Sequence, residues 1–487
     1  GLENTIIMNT RTILVLLAAV LCLLSTNAST ASPKKPLGVA SSVALKPALV
    51  QSINNGGKDL KSSIPEITKT STSFGAFLFM DWSLRKVFKR LEINFPSSLC
   101  GMFVMFFGLL GLERVDAQTA AKVVAFLGPG FDQLTKWLPT FFVPGVVMMP
   151  LSPPLSGGTV GRLLLLNAGG LVINFFVASR VAGLLIKANG GAAAPSAPAA
   201  APAAGGKHPY PMELAHKLFG AAAVAAAVAV GTGSPQAYAV TMLAATVGGF
   251  VAANHLPANV KTICSPFIVS SLVGLAACAA LAPVSRIGGF KDLVRDYTRK
   301  QGGLGMGAGD VLLGLLGPSI LSFGLSMYHR RALIAQNLAV VVGTNLFSAA
   351  FSLLGTAVLA RALGLAAGLR TSTVMRNVTM ALGLPLFEML GGANASVAVA
   401  MIILTGILGQ NFGQILMDRF RVRDPVARGL AMGISGHGLG TAALAQTEKD
   451  AFPFSALAMA LNGSFAVCLA ALPPFRRLLL SLAGVAN

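Results

Sequence analysis

Charge is what this sequence lacks. Only 11% of its 487 residues are Asp, Glu, Lys or Arg, less than half of the roughly 25% carried by soluble globular chains. Acids are the scarcer sign, 17 against 37 basic residues. Cysteine is sparse too: Cys22, Cys100, Cys264, Cys278 and Cys468 lie far apart, and all but Cys264 sit well inside apolar runs. No C-x-x-C occurs, so neither a disulfide framework nor a metal or redox centre is expected. The five histidines (208, 216, 255, 329, 437) are dispersed. There is no H-E-x-x-H, no P-loop lysine behind "GGLGMGAGD", and "GISGH" is not G-x-S-x-G. No enzyme and no cofactor is expected.

Long apolar runs fill the space that charge leaves. Hydrophobic residues make up 54% of the chain, in repeated runs of about 18 to 25 residues, the length that crosses a bilayer core. The expected fold is an all-α, polytopic membrane protein of about 12 transmembrane helices. The net charge of +20 is spread over short loops, as in Lys89-Arg90, His329-Arg330-Arg331 and Arg419-Arg421-Arg423. Basic loops flanking spans read as orientation signals and lipid-headgroup contacts. No zinc-finger spacing or interleaved basic and aromatic run suggests nucleic acid.

Residues 1–71 read as an address. Met8 opens "MNTRTILVLLAAVLCLLSTNASTAS", a signal peptide of about residues 8–30, with 1–7 as upstream sequence read through in frame. "SPKKPLGVASSVALKPALVQSINNGG" follows, basic and acid-poor like a transit peptide. The tandem suits a bipartite presequence for a complex plastid; plain secretion leaves the second part unexplained.

Residues 72–187 are a first membrane module, with runs near 72–88, 96–112, 134–150 and 160–186. Asp81, Arg85 and Lys86 interrupt the first. An Ala/Pro/Gly linker, residues 188–211, should join two bodies without joining their cores. The second module, 212–487, has runs near 214–232, 236–254, 266–284, 309–327, 333–360, 372–391, 395–417, 425–446 and 454–478.

Two of these runs share an odd design. "RNVTMALGLPLFEMLGG" starts at Arg376 and passes a Gly and a Pro to Glu388; "GISGHGLGTAALAQTEKDAFP" follows Arg428 and passes repeated glycines to Glu448 and Asp450. Non-helical backbone in a bilayer is tolerated only inside protein or along a wet cavity. Paired broken segments point to a transport site. Both therefore read as broken helices or re-entrant hairpins lining a substrate cavity. Simpler readings stand beside this one: glycines that admit close helix packing, a solvated Glu448–Asp450 loop, and arginines that snorkel at span ends. His437 resists them, since a histidine within a span is functional by default.

The stretch "RDPVARGLAMGISGHGLGTAALAQTEKDAFPFSALAMALNG" resembles the signature of the LrgB/CidB family, and "ILTGILG" and "LLGPSILSFGLSMYHRR" fit it too. Arg376-Asn377-Val378-Thr379 stands where that family has Lys-Ser-Val-Thr. The proline that follows there is absent here, replaced by Met380-Ala381, with Pro385 later. "INFPSSLCGMFVMF" and "LPTFFVPGVVMM" resemble LrgA. An LrgA-like and an LrgB-like half behind a plastid address resembles the plastidal glycolate/glycerate translocators.

That resemblance implies a secondary transporter that exchanges glycolate for glycerate across the plastid inner envelope, supporting photorespiration. The substrates are small 2-hydroxy monocarboxylates, and a proton-linked, alternating-access cycle is expected. On this reading Arg376 or the Asn377–Thr379 backbone holds the carboxylate, met by Ser435, His437 and Thr441. Asn411 and Asn462 reach the hydroxyl. His437 and Glu388 are the proton-coupling candidates. The LrgA-like part is a candidate support, and a homodimer is compatible with the sequence. The alternative is a holin-like or regulatory membrane protein of the bacterial LrgAB/CidAB type.

Overall fold

The structure, a computed structural model, describes residues 45–485 apart from 94–95, 152–153, 191–209, 258–259, 262–263 and 302. The signal peptide and most of the linker lie outside the described residues.

The fold is all-α. Helix α1 (Leu45–Arg90) runs unbroken through the boundary expected at residue 71, and is followed by α2 (Ser97–Val115), α3 (Ala117–Trp137), the short α4 (Val143–Val147) and α5 (Gly157–Ala188). The second module adds α6 (Met212–Thr232), α7 (Pro235–Ala253), α8 (Pro266–Leu281), α9 (Phe290–Tyr297), α10 (Ala308–Gly314), α11 (Leu316–His329), α12 (Arg331–Gln336) and α13 (Leu338–Ala362). It closes with α14 (Ala367–Thr373), α15 (Met380–Met389), α16 (Ala395–Arg419), α17 (Pro425–Thr447), α18 (Phe452–Ala471) and α19 (Pro473–Ala483).

Ten helical segments among the described residues are long and apolar enough to cross a membrane. The two broken segments and the charged α1 account for the difference from the twelve or so expected. One span was misplaced by its apolar run. The segment expected over 134–150 begins at Ala117, where Asp116 caps the helix by accepting from the backbone N–H groups of Gln118 and Thr119. Small residues and Pro129 hide it from a hydropathy reading. Ser73 of α1 docks that stretch by donating to the Leu127 carbonyl and accepting from the Gly130 N–H.

The two modules share one core, contrary to the expectation of separate bodies. Phe74, Leu99, Trp137 and Phe175 of the first module pack in one cluster with Leu325, Leu430 and Phe454 of the second. Helix α2 packs on α11, and α5 packs on α13, α16 and α17. The Ala/Pro/Gly linker therefore connects sequence segments, not independent domains.

Helix α5 also supplies a ruler. Near its start Arg162 donates to the Gly364 carbonyl, just before α14; near its end Arg180 donates to the Phe420 carbonyl, just before α17. Eighteen residues of helix rise about 27 Å, close to the thickness of a bilayer core. The segments that begin with α14 and α17 thus enter from opposite sides.

Candidate functional site

Segment α17 is a hairpin, not one continuous helix. Twenty helical residues would separate Arg428 from Glu448 by about 30 Å, yet Arg428 Nε lies 2.7 Å from Glu448 Oε2. The chain turns at His437, whose φ of 37° and ψ of −131° are non-helical. A left-handed φ on a side chain this large is uncommon and costs on the order of 1–3 kcal/mol. The surroundings hold it: Nε2 meets the Ile402 carbonyl at 2.8 Å, and the Gly438 N–H donates to Nδ1 at 2.9 Å. With Nδ1 accepting, the ring proton sits on Nε2 and is donated to Ile402.

The quoted motif now parses physically. Asp424 caps the first arm by accepting from the Ala427 N–H at 3.0 Å, and Pro425 occupies the first turn, where its missing N–H costs nothing. Gly436 lets α16 cross against its own Gly409, and a Cβ at Gly409 would lie 2.5 Å from the Gly436 Cα. Thr441 of the returning arm shares a 2.8 Å hydroxyl–hydroxyl hydrogen bond with Ser455 of α18. The glycine-packing reading therefore holds for the crossing, and the broken-helix reading holds at the tip.

Helices α14 and α15, earlier in the chain, form the first hairpin of this kind and enter from the other side; α17 is the second. The open end of the first is tied by the Asn394 N–H donating to Ser372 Oγ at 3.2 Å. Residues 374–379 make the turn, and α15 starts after Thr379, whose hydroxyl is buried without a hydrogen-bond partner. Asn462 of α18 steadies the turn by donating to the Asn377 carbonyl at 3.4 Å.

Both tips face one cavity of about 450 Å³. Thr379 and Met380 line it from the first hairpin; His437 and Gly438 line it from the second. Each tip presents the N-terminus of a returning half-helix. Such an end carries about half a positive charge and free N–H groups, so two together match one monoanion. At about 30 Å³ per water the cavity has room for on the order of fifteen waters, so a two- or three-carbon acid would enter it partly hydrated. Its walls are otherwise mostly Leu, Ile, Phe and Met.

The first module builds part of that wall, which the sequence reading missed. Arg85, Ser98 and Phe142 line the cavity, so the LrgA-like part is more than a support. Arg85 is half exposed and pairs at 2.6 Å with the buried Asp81. Gly317 of α11 leaves room for the pair; a Cβ there would collide with both side chains. The signal was present as Asp81 and Arg85, one helical turn apart in an apolar run.

The other expected residues divide into two groups. Arg376, Asn377, Ser435, Thr441 and Asn462 are buried close behind the tips but do not line the cavity. Arg376 is 2% exposed and has no ion pair among the described residues. Its Nε donates to Thr356 Oγ1 at 3.2 Å, Nη1 has no partner, and its guanidinium occupies the space a Cβ at Gly170 of α5 would need. Asn377 makes no side-chain hydrogen bond, nor does the Ser435 hydroxyl. Unpaired polar groups of this kind are expensive in a membrane interior, and here they surround the two tips. Asn411 and Glu388 stand apart. Asn411 lies on α16 outside the cavity lining, and Glu388 is exposed near the end of α15, roughly 12 Å along the axis from its start.

Glu448 is neither a cavity residue nor a solvated loop. It joins Arg428, Gln414 and, through Arg428, Asp418 in a clasp across the open end of the hairpin. Burial pushes its carboxyl up, but the Arg428 and Gln414 hydrogen bonds and the Arg428 charge prevail and hold it below the usual carboxylate range.

Comparison with known proteins places the chain in a family. The model of the LrgB-like family matches residues 246–474. The chain is 34% identical over 448 residues to the plastidal glycolate/glycerate translocator 1, chloroplastic, of Arabidopsis thaliana, covering 89% of this chain and 86% of that one. It is 29% identical over 162 residues to the uncharacterized protein YwbG of Bacillus subtilis, covering 33% of this chain and 72% of that one. An uncharacterized protein of Haemophilus influenzae is 28% identical over 156 residues, 32% of this chain and 67% of that one. No solved structure matches. Similar to a plant translocator along nearly its whole length, the chain belongs to the LrgB-like family and is a membrane transport protein, not an enzyme.

Proposed function

We propose that this protein exchanges glycolate for glycerate across a plastid envelope membrane by alternating access. The observation that carries the reading is the pair of half-helix N-termini, Met380 and Gly438, converging on one cavity from hairpins rooted on opposite sides. The substrate class follows from the Arabidopsis relative, named for glycolate and glycerate and for the chloroplast. The carboxylate sits between the two tips, with Thr379 and Ser98 offering hydroxyls to the substrate's own hydroxyl and waters. Arg376 supplies a fixed positive charge from behind the first tip. Its desolvated, unpaired guanidinium favours an anion in front of it over a neutral solute.

Proton linkage at His437 has a structural consequence. A proton added at Nδ1 removes the acceptor for the Gly438 N–H, so protonation loosens the second tip. Substrate binding and proton uptake are then coupled through the same turn.

The test uses purified full-length protein in liposomes preloaded with glycerate. Saturable uptake of labelled glycolate that requires internal glycerate, with weaker competition by acetate than by lactate, is the expected outcome. His437→Ala should reduce it. Release of unrelated small solutes with no need for a counter-substrate would overturn the carrier in favour of the holin-like alternative.

A further inference from the structure

A second cavity of about 470 Å³ lies at the membrane face where the second hairpin is rooted. Three of the elements that line the central cavity also line this one, each with a different part of its length. On α11, Ile320 and Phe323 face the central cavity while Ser326 and His329 face the vestibule. The returning arm of α17 contributes Gly438 and Leu439 to the first and Ala445 and Gln446 to the second. Helix α18 contributes Met459 to the first and Phe452 to the second. The two spaces are therefore stacked along the same elements. Phe323 and Ser326 are separated by only about 4.5 Å of helix rise.

What stands between them is a pair of rings. Phe323, of the central cavity, and Phe452, of the vestibule, meet edge to face with centroids 5.1 Å apart, and both are buried. The vestibule differs in chemistry from the cavity behind it. Lys136, Arg330 and Lys449 line it against the single carboxylate of Asp132. Arg330 is offset by its ion pair with Asp450, which leaves Lys136 and Lys449 against Asp132, an excess of one positive charge. Cations at the mouth of a low-dielectric passage raise the local concentration of an anion.

We propose that this vestibule is a second station for the carboxylate substrate, and that the Phe323–Phe452 pair is the partition that opens to pass it to the central cavity. The proposal rests on the transport reading for the identity of the ligand. Phe323 lies on α11 and Phe452 at the start of α18, so a shift of the α18 start against α11 separates the rings and joins the two cavities across less than one helical turn.

The test measures reaction of single cysteines with a small anionic thiol reagent, in full-length protein whose own cysteines are replaced by alanine. Ile320→Cys reports on the central cavity and Ser326→Cys on the vestibule, with Lys449 as the only cation altered. From the vestibule side, Phe452→Ala should speed reaction at Ile320→Cys by about tenfold, since an apolar constriction excludes a hydrated anion, and leave Ser326→Cys unchanged. Phe323→Leu should give an intermediate rate. Lys449→Gln should slow the anionic reagent at Ser326→Cys and not a neutral one. An unchanged rate at Ile320→Cys in both ring variants overturns the partition, as does a parallel rise at both positions, which would mean general loosening. Equal slowing of both reagents overturns the station. None of these rates depends on which solute is carried, so a chain that fails to exchange glycolate refutes the transport reading separately.

Discussion

The two hairpins solve the same problem with their charges placed oppositely. The α14–α15 hairpin keeps a bare cation at its tip, Arg376, and closes its open end with a neutral hydrogen bond from Asn394 to Ser372. The α17 hairpin has a neutral histidine at its tip and a four-residue ionic clasp of Arg428, Glu448, Asp418 and Gln414 at its base. A clasp at the base fixes where the hairpin is rooted and leaves its tip to move. A charge at the tip instead biases what can sit in front of it. Under the proposed function, the first hairpin attracts the anion and the second responds to it.

Moving charge between these places breaks the comparison most severely. Arg376→Gln should lower glycolate transport by at least about tenfold, because it removes the fixed charge behind the tip in a low-dielectric interior, while leaving the folded yield near that of the parent. Uptake assays beside a melting curve separate the two effects. If transport survives, the tip charge is an anchor only.

Arg428→Ala acts on the other hairpin and should cost about 2–3 kcal/mol of stability, less than a fully buried pair because both side chains keep some exposure. A melting curve reads it directly, and Glu448→Gln should reproduce most of the loss. The same clasp sets a pH response. The Glu448 carboxyl is held below its ordinary value when folded, so its contribution is present above the unfolded pKa and fades as pH falls through the folded one. The parent should therefore lose melting temperature below about pH 4 more steeply than Glu448→Gln does. Equal slopes would remove the clasp from the account. The smallest effect is expected at Glu388→Gln, where transport should stay within about twofold, as for other exposed sites. A collapse there would return Glu388 to the proton path.

Much of this was legible in the sequence, and the failures have physical causes. The hairpins announced themselves because glycine, proline and arginine inside apolar runs violate what a bilayer tolerates. His437 was found for the same reason. Helix α3 was missed because alanine, threonine and glycine span a membrane with little hydropathy when the protein covers them. The cavity wall from the first module was missed because Asp81 and Arg85 read as damage to a span; only packing against Gly317 shows them as a built pair. The joined core could not be read from an Ala/Pro/Gly linker, whose composition describes the connection and not the surfaces on either side. Arg376 was identified, but its direction, toward Gly170 and not into the cavity, depends on α5, more than 150 residues away in sequence.

The central claim is that both tips bind one anion together. It is tested most directly by placing a single cysteine at Thr379 or at Gly438, in two otherwise identical cysteine-free chains, and measuring how glycolate slows alkylation of each. The account predicts protection at both positions, half-maximal at concentrations that agree within about twofold, as one binding event requires. Protection at one tip with none at the other would contradict it.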